Sequence, residues 1–131
     1  MVSALTDAVG AKVEVLVKAN YLPHANLVDG GEFIFAYEIT ICNVGNAAFQ
    51  LLSRAWKITD GNGDIREVRG DGVIGKQPRI TPDTTFCYTS YVDMPTPAGS
   101  MTGVYTMRLD DGSHFDAAIP IFSLVVPSMV N

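Results

Sequence analysis

Residues 33–42 read Phe-Ile-Phe-Ala-Tyr-Glu-Ile-Thr-Ile-Cys, and they carry the clearest structural signal in this chain of 131 residues. Every second position from Phe33 to Ile41 holds an aromatic or β-branched side chain, and the turn-forming segment Asn43-Val-Gly-Asn46 follows. A period of two places one row of side chains on each face of a β-strand. We therefore predict a strand over these residues, with the aromatic row facing the core.

Similar runs of strand-forming residues lie on both sides of this segment, and no part of the chain is typical of a long helix. Turn-forming sequences separate the runs at 60–63 and 110–113, and a sizeable loop is expected over 21–31. Pro120 is expected at a bulge or a switch between sheets. The further predicted strands are 12–21, 49–60, 64–69, 84–91, 100–109 and 114–126.

About seven or more strands, spaced at roughly ten to fifteen residues, favour an all-β fold, an immunoglobulin-like or fibronectin type III-like β-sandwich. Trp56 is expected to be buried on a central strand of that sandwich. An eight-stranded ligand barrel is the alternative, but it would need more turns than the chain supplies. We expect residues 12–131 to form this single domain. Residues 1–11 show no clean period and are predicted to be a loose N-terminal arm.

Composition and charge limit the function classes. Hydrophobic residues make up 47% of the chain and charged residues 18%, so it has enough apolar surface to fold alone. The net charge of −5 argues against nucleic acid or an anionic membrane as a partner, because phosphate groups would repel the protein. The N-terminus lacks the basic and apolar pattern of a secretory signal, and no uncharged tract reaches the ~20 residues of a spanning helix. We expect a cytoplasmic protein.

The two cysteines, Cys42 and Cys87, lie far apart in the sequence and in no metal-binding spacing. In a reducing cytoplasm we expect both to be reduced, buried thiols. A disulfide between neighbouring strands is the alternative.

The segment Gly70-Asp-Gly-Val-Ile-Gly75 matches the pattern G-x-G-x-x-G of dinucleotide-binding proteins. In those proteins a helix follows the glycines, whereas Pro78 and Pro82 follow here and prevent one. One remaining interpretation is a connection whose glycines adopt positive φ or pass close to another strand. The other is a loop whose backbone N–H groups form an anion-binding nest without a dinucleotide fold.

The charges around this segment give some support to the second interpretation. Residues 54–79 contain six basic and four acidic side chains, a local net charge of +2 in an acidic protein. Such a region suits a phosphate, a pyrophosphate or an acidic peptide, although a solvated basic strand that prevents edge pairing would look the same. The candidate residues for binding an anion or a partner are Arg54, Arg69, Gly70, Asp71, Gly72, Val73, Ile74, Gly75 and Lys76.

No other constellation supports a site. Asp60-Gly-Asn-Gly-Asp64 resembles half of a calcium loop, but Ile65 stands where that loop needs glycine, so a hairpin turn is favoured. His24 and His114 are the only histidines, and neither has a second ligand at metal-binding spacing. No nucleophile, base and orienting group can be named together. We expect no catalytic residue, metal or cofactor.

Several segments, read in order, resemble the ApaG family. The family's Leu-Ser-Arg-His-Trp is matched by Leu52-Ser-Arg-Ala-Trp56, so Ala55 replaces the histidine, while Arg54 and the loop glycines are present. The similarity spans roughly residues 12–127. The matching segments are Phe33 to Gly45, Gln50 to Gly63, Glu67 to Gly75, Gln77-Pro78, Tyr88-Thr-Ser90 and Pro97 to Tyr105.

The resemblance implies a fibronectin-type sandwich that acts as a binding or adaptor module. In bacteria the family is encoded near a diadenosine tetraphosphate hydrolase and is linked to cobalt resistance and magnesium efflux. Related domains occur in F-box proteins and in a protein that interacts with DNA polymerase delta. We therefore expect a non-enzymatic protein that recognises a protein partner or a small anionic ligand. An interaction module using a sheet edge and an enzyme acting on a phosphorylated metabolite are the alternatives, and a homo-oligomer is left open.

Overall fold

The computed structural model describes residues 1–23 and 32–129. This part of the chain forms strands and turns, with one 3-10 helix, Pro127–Met129, near its end. The strands are β1 (Val2–Ala8), β2 (Ala11–Tyr21), β3 (Phe33–Asn43), β4 (Phe49–Asp60), β5 (Ile65–Asp71), β6 (Arg79–Ile80), β7 (Thr85–Met94), β8 (Ala98–Leu109) and β9 (His114–Val125).

The strands build two antiparallel sheets. Sheet A has the order β1-β2-β3-β7, and sheet B has the order β5-β4-β8-β9, with the short β6 paired to β4. The two sheets enclose one hydrophobic core between them. The all-β sandwich expected from the sequence is confirmed.

β3 is the centre of sheet A, as its strong alternation predicts. Ile39 pairs with Val17 of β2 on one side and with Tyr88 of β7 on the other. Its inward row, which includes Phe35 and Ile41, is almost fully buried. Burial of such a side chain contributes about 2 kcal/mol, so this row contributes strongly to the core.

Trp56 lies on β4, an interior strand of sheet B, and is 4% exposed. Its ring meets Tyr37 edge-on at a centroid distance of 5.3 Å and Phe122 at 6.0 Å. Edge-to-face contacts of this kind add stability beyond the buried area. The central position predicted for Trp56 is therefore confirmed.

Two bulges adjust the faces of sheet B. On β4 the register against β8 shifts between Leu51 and Ser53, so Leu52 is an extra residue, and Arg54 joins Trp56 on the inward-facing row. On β9 the register shifts opposite Met101 and Gly103, which places Pro120 in the bulge that the sequence predicts.

The N-terminal residues differ from the prediction of a loose arm. Residues Val2–Ala8 form β1, which pairs along its length with β2. Thr6 also fixes this strand to sheet B, because its Oγ1 accepts a hydrogen bond of 2.9 Å from the Ala118 N–H. Apart from Val2 at its start, the inward row of β1 contains the small side chains Ala4, Thr6 and Ala8, so its hydrophobic period is too weak to recognise.

Other boundaries differ by a few residues. β5 continues through Asp71 and β7 through Met94, where a loop was expected, and β6 lies in a segment predicted to be a connection. Residues 24–31 of the predicted loop 21–31 lie outside the described residues.

Both cysteines are free thiols, as expected, but the prediction that they are buried is wrong. Cys87 is exposed and Cys42 is half-buried, because both point outward from sheet A. Cys42 pairs with Thr85, and Thr40 pairs with Cys87, so the thiols are diagonal neighbours on β3 and β7. Partial burial raises the pKa of the Cys42 thiol, and Glu14 adds to this. This thiol is therefore a poor nucleophile at neutral pH.

Candidate binding site at the glycine loop

Residues 70–76, here called the glycine loop, begin at the end of β5 and turn back in a small hairpin. The N–H of Val73 donates to the Lys76 oxygen at 2.8 Å, and the Lys76 N–H donates to the Val73 oxygen at 2.9 Å. Between them, Ile74 and Gly75 have φ values of 44° and 77°. Positive φ at both central residues is typical of a two-residue type I′ turn.

Gly72 shows why this loop needs a glycine. The residue is buried at φ 61°, and a Cβ atom there would overlap the carbonyl oxygen of Lys76. A side chain would therefore both strain the backbone and push the hairpin open. The interpretation that the glycines serve positive φ and close approach is confirmed at this position.

Three amides of the loop are bound within the fold. Besides the pair between Val73 and Lys76, the Gly72 N–H donates to the Leu52 oxygen at 2.8 Å. An anion nest requires N–H groups that point toward the ligand. These three amides would have to break their bonds before they could bind an anion.

Arg54 supports the loop from below. After the bulge at Leu52 the Arg54 side chain points inward. Its Nη1 donates to the backbone carbonyl oxygens of Asp71 at 3.0 Å and Gly72 at 2.8 Å. A Cβ atom at Gly70 would lie within 2.8 Å of this guanidinium group, so glycine leaves the space that Arg54 occupies. Hydrogen bonds from a charged donor are about twice as strong as neutral ones. Arg54 therefore fixes the backbone of the loop.

Two glutamines hold the far end of the loop. Gln77 Nε2 donates to the Leu52 oxygen at 2.9 Å, and Gln50 Nε2 donates to the Gln77 oxygen at 3.1 Å. The bulged Leu52 thus offers its carbonyl to both Gly72 and Gln77. Side chains of β4 and Gln77 therefore support the loop at both ends.

The outer side of the loop is formed by a mixed set of side chains. Val73 is buried at 1% exposure, whereas Ile74 at the tip is 55% exposed. Arg69, Asp71 and Lys76 are exposed as well. The nine predicted residues therefore divide into a supporting group of Arg54, Gly70, Gly72 and Val73 and a surface group of Arg69, Asp71, Ile74, Gly75 and Lys76.

The local positive charge is smaller than residue counting indicates. Arg79 pairs with Asp110 at 2.6 Å, and Arg66 pairs with Asp93 at 3.6 Å. Both carboxylates lie outside residues 54–79, so the sequence count omits them. Of the basic candidates, Arg69 and Lys76 are exposed and have no ion pair within the described residues.

A cleft of about 230 Å³ lies between β5 and β7. Arg54 and Trp56 form part of its floor, with Val68 and Ser90 at its sides. Sequence reasoning missed this cleft, because strands that are distant in the sequence enclose it.

Behind the cleft, the hydroxyl groups of Tyr88 and Tyr105 hydrogen-bond to each other. Burial raises the pKa of both phenols, so they remain protonated at neutral pH. Tyr37 shows the same direction: burial raises its pKa, and the Ser90 hydroxyl and Arg54 partly oppose that shift. These groups stay protonated, so they neither release a proton readily nor act as general bases at neutral pH, and they form a polar, hydrogen-bonded part of the core.

The model of the ApaG domain matches residues 24–109. Protein ApaG of Anaeromyxobacter dehalogenans is 45% identical over 127 residues, which cover 97% of this chain and all of that protein. Protein ApaG of Pseudomonas paraeruginosa is 48% identical and covers 92% of this chain and 95% of its own. The chain belongs to the ApaG family. The fold agrees: a crystal structure of a Bordetella pertussis protein described as ApaA superposes with a TM-score of 0.85 at 39% identity, over 89% of this chain and 95% of its own.

Ala55 stands at the position where the resemblance to the family implies a histidine. Ala55 is half-buried and pairs with Arg69 of β5 on one side and Val104 of β8 on the other. It lines a shallow hollow of about 280 Å³ on the outer face of sheet B, together with Lys57 and Thr102. The replaced position therefore lies on the opposite face from Arg54.

The motif that resembles a calcium loop lies between β4 and β5. Asp60 to Asp64 form the hairpin turn that was favoured over a calcium loop, and Asp60 Oδ1 accepts hydrogen bonds from the Asn62 and Asp64 N–H groups. Residues 1–23 and 32–129 hold no cluster of three His, Cys, Asp or Glu side chains suited to a metal ion. His24 lies outside that part of the chain. In the described residues no helix is long and apolar enough to cross a membrane.

Proposed function

We propose that this ApaG-family chain is a non-catalytic binding module that recognises a protein partner through the glycine loop, with Ile74 as the apolar anchor. One observation carries the proposal. A β-branched, 55% exposed residue is held at φ 44° at the tip of a hairpin that side-chain hydrogen bonds brace from below.

Ile74 is conformationally unfavourable at this position. A β-branched residue in the left-handed region costs about 1–2 kcal/mol relative to a preferred conformation, and asparagine or glycine would fit at lower cost. The exposed side chain recovers little of this cost by burial in the free protein. It would recover it in a complex, where a preformed apolar anchor is buried without further ordering of the loop.

The exposed basic side chains indicate the partner's chemistry. Lys76 follows the tip directly, and Arg69 lies on the strand that leads into the loop. We expect an apolar pocket in the partner with acidic residues around it. The family's link to cobalt resistance and magnesium efflux would then act through this partner in the cytoplasm, rather than through an ion bound to the chain.

The chain contains its own matched control for a test. Val9 is also β-branched, exposed at 62%, and held at φ 45° in the turn between β1 and β2. We expect Ile74→Asn to remove capture of the partner from a lysate of the source cells, and Val9→Asn to retain it. Quantitative mass spectrometry of affinity-purified complexes measures both. Capture that is equal for the two variants, or no protein whose capture depends on Ile74, would contradict the proposal.

A small anionic ligand, such as phosphate or pyrophosphate, is the second candidate. Its support is the exposed Lys76 beside the loop tip, which has no carboxylate within 4 Å among residues 1–23 and 32–129. Titration with pyrophosphate, followed by amide NMR shifts, should then move the signals of Gly75 and Lys76. The Lys76→Gln variant should lose this response. No shift in the loop at millimolar pyrophosphate would exclude this candidate.

The enzymatic alternative predicts turnover of a phosphorylated metabolite. A screen for phosphate release, with and without added divalent metal, tests it directly. We expect no release above the level of a heat-inactivated control, and consistent release by the wild-type chain would overturn the non-catalytic assignment.

A further inference from the structure

The two sides of the sandwich are closed in different ways. On one side, the edge strands β1 and β9 lie against each other, and Thr6 accepts a hydrogen bond from the Ala118 N–H. On the other side, β7 is the last strand of sheet A and β5 is the last strand of sheet B. Arg66 bridges this side through Asp93, donating to its backbone oxygen at 2.7 Å and pairing with its carboxylate at 3.6 Å.

The outward groups of β7 can be identified from two hydrogen bonds. The Thr84 oxygen accepts from Asn43 at 3.0 Å and so points toward β3, whereas the Asp93 oxygen points away toward Arg66. Successive residues of a strand direct their backbone groups to alternate sides. The odd-numbered residues therefore carry N–H and C=O groups on the free edge: Thr85, Cys87, Thr89 and Tyr91.

Between Thr85 and Val92 this edge lacks the features that normally prevent strand addition. The register of β7 against β3 runs from Thr85 to Met94 without a bulge, and residues 85–92 contain no charge and no proline. β5 differs, because Arg66, Glu67 and Arg69 give it alternating charges along its length. Charges, prolines and bulges are the usual protection of an edge strand. β7 is thus the edge open to pairing.

In the part of the chain that the structure describes, no strand lies opposite the inner face of β5. Arg66, Val68 and Gly70 pair with the inward residues of β4 and so face inward themselves. Nevertheless Val68 is 39% exposed, and the cleft of about 230 Å³ separates it from Ser90 and Val92 of β7. A strand added beside β7 would continue sheet A over this face, and its inward side chains would enter the cleft.

The positive charge of Arg54 in the cleft determines which kind of added strand is favoured. Arg54 is half-buried, and its Nη1 bonds only to the neutral oxygens of Asp71 and Gly72. Among the described residues no carboxylate lies within 4 Å of its guanidinium group. A partly buried charge without a counter-ion favours a ligand that supplies one.

We propose that the free edge of β7 binds an extended, acidic segment of a protein partner as an additional antiparallel or parallel strand of sheet A. The main-chain bonds to Cys87, Thr89 and Tyr91 give affinity, and the cleft above Arg54 receives an Asp or Glu side chain. The exposed pair of Arg66 and Asp93 opens as the strand enters, at small cost because both groups are half-exposed. This surface does not depend on the role proposed for Ile74.

The test uses the full chain and a phage library of random ten-residue peptides. Selected peptides are expected to alternate apolar and acidic residues. Thr89→Pro removes one outward N–H at an edge position where proline is tolerated, and it should weaken the selected peptides by about tenfold or more. Thr89→Val keeps the N–H and should bind them like the wild type. Thermal unfolding of both variants confirms that they are folded.

Hydrogen exchange locates the bound peptide. Binding should slow exchange at the amides of Cys87, Thr89 and Tyr91, and a peptide with its acids replaced by glutamine should bind several-fold more weakly. Ile74→Asn should leave this binding unchanged, which separates it from the loop. Failure to enrich any peptide, equal binding to Thr89→Pro, or protection confined to other strands would overturn the proposal. Self-association that Thr89→Pro abolishes would do so too, because the edge would then belong to a second copy of this chain.

Discussion

Two turns of this molecule have the same backbone conformation but are held in different ways. Val9-Gly10 and Ile74-Gly75 both place a β-branched residue and then a glycine at positive φ, with Val9 and Ile74 at 45° and 44°. The first turn closes a long ladder between β1 and β2. The second joins only the isolated bridge between Val73 and Lys76.

The difference shows where each conformation obtains its stability. Strand pairing on both sides of Val9 stabilises the geometry of its turn, because the primed turn types match the twist of two antiparallel strands joined by two residues. Ile74 has no such ladder, and its turn depends on Arg54, Gln77 and the bulged Leu52 below it. Side-chain hydrogen bonds therefore stabilise the glycine loop, whereas strand pairing stabilises the first turn.

The largest effect is expected from a side chain at Gly72. Gly72→Ala forces a Cβ atom onto the Lys76 oxygen at a positive φ, and should lower the free energy of unfolding by about 3 kcal/mol. Gly10→Ala, at φ 87° with no atom within 4 Å of the new Cβ, should cost only about 1 kcal/mol. Urea unfolding of both variants measures the difference. Equal losses would show that the two turns are equally constrained.

Removal of the brace comes next. Arg54→Gln loses the charged bonds to Asp71 and Gly72 and should cost about 2 kcal/mol. Amide exchange at Val73 and Lys76 should accelerate, while exchange in the turn around Val9 stays at the wild-type rate. If the amides of the loop keep their protection, the hairpin is stable by itself and Arg54 does not brace it.

A smaller effect of opposite sign is expected at the turn residues themselves. Ile74→Asn and Val9→Asn each place a residue that tolerates the left-handed region, and each should stabilise the fold by about 0.5–1 kcal/mol. Thermal unfolding measures both. A gain at Val9 together with a loss at Ile74 would mean that the Ile74 side chain contributes packing in the free protein, which would weaken its role as an anchor for a partner.

The sequence predicts the sheets well because their inward rows are large. The alternation of β3 specifies its buried face without tertiary information. The same alternation does not reveal β1, because its inward residues Ala4, Thr6 and Ala8 are small. A row of alanine and threonine indicates a strand only when the neighbouring strand is known.

The glycine loop was predictable as a backbone feature but not as a surface. Its glycines indicate positive φ, yet the acceptor of the Gly72 N–H is the carbonyl of Leu52, which the bulge in β4 leaves free. A count of the charges within residues 54–79 fails for a similar reason, because Asp93 on β7 and Asp110 in the turn after β8 pair with Arg66 and Arg79. Register and bulges, which depend on the whole fold, decide which amides and charges remain for a ligand.

The smallest effect concerns a third turn, the hairpin at 110–113, which is held by glycine and aspartate instead of a brace. A hydrogen bond from Arg79 lowers the pKa of the Asp110 carboxyl, and hydrogen bonds from Ser113 lower that of Asp111. Because the folded pKa lies below the unfolded value near 4, the stabilisation is present above that value and is lost as the pH falls through the folded pKa.

We expect this loss to be slight, since both carboxylates are exposed and screened by solvent. NMR titration of the carboxyl carbons measures it. Arg79→Gln should return the Asp110 midpoint toward that of a free aspartate and leave the Asp111 midpoint in place. The bonds that brace the glycine loop run from Arg54 and Gln77 to backbone oxygens and involve no carboxylate, so amide exchange at Val73 and Lys76 should be the same in Arg79→Gln as in the wild type. Faster exchange of those two amides in Arg79→Gln would show that the ion pair between Arg79 and Asp110 also supports the loop.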